Sequence, residues 1–209
     1  MLGVVAMLCG GGRGVFGADG GPDLSSPKAA AHAFEAAMAK GDAEAAQRCV
    51  LDQPGQREAA AALARMSVVC VRLDAASRKQ FKTSLESSGN PHVTLRLPDP
   101  NGANYADVKG DDRFATVTIA GRKDDPTRVA KVGNEWRVDL TDEKRRTADD
   151  LKAVAAQLDG MRKGMEELAT NIEAGKVASV QDARWAFLNS MISIGAAEVK
   201  VEVKPASSK

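Results

Sequence analysis

The 209-residue sequence predicts an α+β protein, with helices packed on an antiparallel sheet and a helical extension after it. Three observations predict this. Apolar residues recur at helical spacing from about residue 27 to residue 87, and again after residue 147. Between those stretches the period changes to two, as in half-buried strands. Gly133-Asn134 then separates two short runs, a dipeptide suited to a two-residue hairpin because both residues tolerate positive φ.

Residues 1–18 read as a signal peptide. The apolar run Leu2 to Leu8 is shorter than the ~20 residues of a membrane span and has the make-up of an h-region, with Val15-Phe16-Gly17 or Ala18 at the cleavage site. An exported protein, periplasmic or secreted, is the expectation. No Lys or Arg precedes the run, which leaves either an atypical signal or an upstream start. Cys9 follows Leu8 rather than a small residue, so no lipid anchor is expected there. Residues 19–25 read as a linker.

Ser26 and Pro27 start the first helix as N-cap and first helical residue. Its apolar side is Ala30, Ala33, Phe34, Ala37 and Met38, and Gly41 ends it. Asp42 caps a short second helix to about Val50, and Pro54-Gly55 breaks it. A long helical stretch follows from about Gln56 to Ser87; Asp74 is placed to cap a second segment, so one helix or two are both open. Strands are expected over His92 to Leu97, 103–108, 113–120, Arg128 to Val132 and Glu135 to Leu140, with Trp136 and Val138 on one face.

After Thr141, with 143–146 opening the helix, Leu151, Val154, Leu158, Met161, Met165, Leu168 and Ile172 form a heptad seam. Packing within the chain and self-association as a coiled coil both satisfy it. A last helix runs from about Val180 to Ile194, and Val199, Val201 and Val203 alternate in the tail. The predicted organisation is a domain over 26–141, a helical extension over 142–196 and a tail over 197–209.

Residues 26–41 read SPKAAAHAFEAAMAKG and are followed by Asp42; residues 131–140 read KVGNEWRVDL. The first resembles the opening helices of nuclear transport factor 2-like proteins, and the second is similar to their closing hairpin with its Trp-bearing strand. The resemblance covers about residues 25–140. It implies a curved, cone-like sheet wrapped by helices, with a cavity able to hold a small apolar ligand. The superfamily includes steroid isomerases, polyketide cyclases and dehydratases as well as exported proteins without a known reaction, so fold alone does not assign function. The cavity lining it implies here is Phe34, Met38, Tyr105, Phe114 and Trp136.

The formal net charge of +1 and the mixed charge runs argue against a nucleic-acid partner. Isomerase-like chemistry needs a carboxylate of tuned pKa beside a Tyr or protonated acid. The candidates are Asp42, Asp107 and Asp139 beside Tyr105; Asp42 is better explained as a cap, and Asp107 and Asp139 as exposed carboxylates at strand ends. No catalytic residue is assigned. Neither His32 nor His92 has neighbours at metal-ligand spacing, so no metal and no cofactor are expected. Cys49 and Cys70 remain after signal removal and are read either as a disulfide or as two buried thiols.

The function expected is that of a non-catalytic binding or interaction module of the cell envelope, holding a small apolar ligand in the cone or a protein partner through its helical extension. An isomerase-, cyclase- or dehydratase-like enzyme and a structural homo-oligomer joined by the 151–172 seam are the alternatives. No membrane span is expected.

Overall fold

The computed structural model describes residues 21–85, 105–119, 126–141 and 147–197. The signal peptide, the strand over His92 to Leu97 and the alternating tail fall outside these residues. The described chain forms five α-helices and one four-stranded antiparallel sheet, an α+β architecture.

Helix α1 spans Pro27–Lys40. Ser26 Oγ accepts from the Ala29 amide at 3.2 Å, and Pro27 sits where a helix has no use for an amide proton. Gly41 ends α1 at φ 69°, and its amide donates to Ala37 and Met38 carbonyls. A Cβ on Gly41 would come within 2.3 Å of Val68 Cγ2, so glycine suits both the backbone and the close approach of the Val68 side chain. Asp42 caps α2, Ala43–Cys49, by accepting from Ala45 N at 2.9 Å.

Helix α3 is a single element, Gln56–Phe81, about 39 Å long at 1.5 Å per residue. Asp74 therefore caps no second segment. It is buried in mid-helix, where Arg78 Nε donates to it at 2.6 Å and Ser84 Oγ at 2.5 Å, so its acceptors are filled by side chains instead of breaking the helix. The helix also ends earlier than expected: Lys82 takes a left-handed conformation, φ 60°, and Ser77 Oγ donates to the Thr83 carbonyl as the chain folds back to bury Leu85.

The sheet is a meander, β1 Tyr105–Gly110, β2 Phe114–Ile119, β3 Thr127–Val132 and β4 Glu135–Val138, paired in sequence order. β1 extends to Gly110, two residues past the expected end. Asp111 accepts from the Arg113 and Phe114 amides and forms the β1–β2 turn, and Gly110 lets the strands meet where a Cβ would strike the Phe114 carbonyl. In the β3–β4 turn Gly133 takes φ 62°; among the described non-glycine residues Lys82 alone has positive φ, so Asn134 does not use its tolerance. β4 stops at Val138, because the residues after it turn to bond α3. The far edge of β4 is covered: Trp136 N donates to the Leu24 carbonyl at 2.8 Å and Leu51 N to the Val138 carbonyl at 3.0 Å.

Helix α4, Ala148–Glu173, is opened by Thr147 in a reciprocal capping box with Asp150; residues 143–146, expected to open it, lie outside the described residues. α5 spans Val180–Ala197. Among the described residues, α3 and α4 form the most extensive pairing of elements.

Two cores result. Phe34, Met38, Cys49, Val50, Ala60, Ala64, Ala115, Val117, Val129, Trp136 and Val138 belong to the first, between α1, α2, the start of α3 and the sheet. The second joins Met66, Val69, Cys70 and Leu73 of α3 to Met165, Leu168 and Ile172 of α4 and Ala183 and Phe187 of α5. The heptad seam of α4 thus faces α3 within the chain. Among the described residues, no helix is long and apolar enough to cross a membrane.

Candidate functional site

The first core is where the expected cavity lining is found, and it is filled. Phe34, Met38 and Trp136 are all buried and belong to the same cluster as the valines of the sheet. Phe114 is not with them. It is 56% exposed, because Ala115 and Val117 face the helices and strand alternation turns Phe114 to the opposite side. There it pairs with Ala130, which in turn pairs with Arg137. Tyr105 opens β1, and its side chain lies outside what is described.

Among the acid candidates, Asp42 is the α2 cap. Asp107 follows an irregularity in the β1 ladder, and its side chain is outside the described set. Asp139 corrects the expectation of an exposed carboxylate: its side chain is buried at the join of sheet and α3. It accepts from Gln56 Nε2 at 2.9 Å, Thr141 N at 2.9 Å and Thr141 Oγ1 at 2.5 Å, with Arg128 at 3.6 Å. Gln56 Oε1 accepts from Leu140 N, so both ends of this buried amide tie α3 to the end of β4. Glu35 was passed over, yet it is 1% exposed on α1. Ala31 and Met38, one turn away on either side, gave the signal: α1 is small or apolar around nearly its whole circumference.

Cys49 and Cys70 are separate free thiols in different cores, which settles the disulfide alternative against a bridge. Burial pushes the Cys49 thiol up to about 12, against the opposing pull of Arg48 and Arg137, and burial pushes Cys70 up to about 11. Thiols this strongly protonated are poor nucleophiles. His32 is half-buried on α1, and His92 lies outside the described residues. Among the described residues no group of three metal-ligating side chains comes together.

A cleft of about 630 Å³ lies outside the sheet core. Residues 21–25 form one wall, laid along β4 by the Trp136–Leu24 hydrogen bond. Glu44, Gln47 and Arg48 enter from α2, Arg57 from the first turn of α3, and Asn134, Glu135 and Arg137 from the β3–β4 hairpin. Phe34, Met38, Phe114 and Trp136 do not border it. Arg137 is held at both ends of its guanidinium, donating to the Arg48 carbonyl at 3.0 Å and to Glu135 at 2.6 Å. Arg48 bridges Glu44 at 2.7 Å, and Arg57 bridges Asp52 at 3.2 Å. The arrangement offers hydrogen bonds of both signs to an extended polar ligand.

Against known proteins, the chain matches no protein-family model, no curated protein and no solved structure.

Proposed function

We propose that the chain is a non-catalytic binding module of the cell envelope that engages a polypeptide partner on its outer surface. One observation carries this reading. Three of the side chains expected to line an internal apolar cavity, Phe34, Met38 and Trp136, are packed core, while a sizeable cleft among the described residues opens outward and has polar and charged groups in its lining. Apolar ligands select concave apolar sites with few polar groups, whereas six of the twelve residues that line this cleft are charged. Three helices followed by an antiparallel meander that closes on the Trp136-bearing strand support the likeness to nuclear transport factor 2-like proteins as part of the same proposal. Export rests on the apolar run Leu2 to Leu8.

The test is titration of the full chain with N-phenyl-1-naphthylamine, a neutral apolar dye, while Trp136 emission is followed in a Trp185→Phe background. The expected result is no saturable dye fluorescence and unchanged Trp136 emission. Saturable binding with quenching of Trp136 would return the apolar cavity, and with it the enzyme alternative. For export, N-terminal sequencing of protein recovered from the envelope should begin near Ala18; a chain retaining Met1 would contradict it.

A further inference from the structure

We draw no further inference here: the strongest candidate, the outward surface of α5 around Trp185, which is 58% exposed on a helix without a charged residue from Trp185 to Ala197, carries nothing because nothing in the structure shows what covers it.

Discussion

In the sheet-side core, eight of the seventeen buried residues of the cluster are alanine; in the helical-side core, three of twelve are. Both cores are built on α3, which gives Ala60 and Ala64 to the first and Met66, Val69, Cys70, Leu73 and Ala76 to the second. The difference teaches how one helix serves two packing regimes. Alanine brings backbones close and loses no rotamer freedom on burial, so α1 and α2 lie low over the sheet and α1 is buried on nearly all sides. Leucine, methionine and isoleucine between α3 and α4 instead fill volume by interlocking. The sheet side should therefore resist growth of its side chains and the helical side should resist their loss.

The largest expected effects break each side in its own way. Leu73→Ala removes a fully buried side chain from the helical core and should cost about 3 kcal/mol in urea unfolding. Ala60→Leu, fully buried between helices and sheet, should cost about 2 kcal/mol by overpacking, where the same enlargement on an exposed face of α3 would cost little. If Ala60→Leu were neutral, the close-approach account of the sheet side would fail.

The Gly41–Val68 contact sharpens the comparison at the point where α1 meets α3. Gly41→Ala should cost about 2 kcal/mol, from positive φ together with the clash against Val68 Cγ2. Val68→Ala, at a partly exposed position, should return the clash portion and leave the backbone portion. A double-mutant cycle with no coupling would mean that the helices are not in contact there.

Both cores carry a buried thiol, and alkaline pH tests them together. Each thiol has its folded value raised above the ordinary 9.0, so the folded chain holds the proton more tightly than the unfolded chain. The stability this contributes is fully present below pH 9 and is lost as pH rises through the folded values of about 11 and 12. The slope is at most about 1.4 kcal/mol per pH unit for each thiol. Urea midpoints measured from pH 8 to 10.5 should fall, and less steeply in Cys49→Ala and Cys70→Ala than in the parent.

The smallest effect concerns the polar clamp on the helical side. Arg72 donates to Glu173 twice, at 2.9 and 2.6 Å, and this bond, ahead of the Arg72 charge, holds the Glu173 carboxyl below its usual range. Its contribution is present at neutral pH and is lost as pH falls through the lowered value. The pair is exposed, so Arg72→Gln should shift the midpoint only marginally, and high salt should erase the difference.

Much of this fold is written locally. The Ser26-Pro27 start, the Gly41-Asp42 turn, the Gly133-Asn134 hairpin and the α4 seam each depend on neighbouring residues, and each lies where the spacing places it. At Asp74 the sequence leaves one helix or two open, because the carboxylate is satisfied by Arg78 and by Ser84, the latter ten residues on, after the helix has ended. Phe114 was misread as lining because an apolar residue beside a strong strand invites that reading; the inward parity of Ala115 and Val117 was the better signal. Gln56 and Asp139 are 83 residues apart and meet only when α3 docks on the end of β4. The cleft has the same character. Glu44, Arg57 and Arg137 are far apart in sequence, and only tertiary packing brings them together.

The central claim is that α3 is a shared spine, so that the two cores stand or fall together. The chain has two tryptophans, Trp136 in the sheet core and Trp185, 58% exposed, on α5. The most direct measurement is urea unfolding of the Trp185→Phe variant, following Trp136 fluorescence for the sheet side and far-ultraviolet circular dichroism for the predominantly helical remainder. The account predicts coincident transitions with one midpoint, as a single cooperative unit requires. Two separated midpoints would show that the cores unfold independently and would contradict the shared spine.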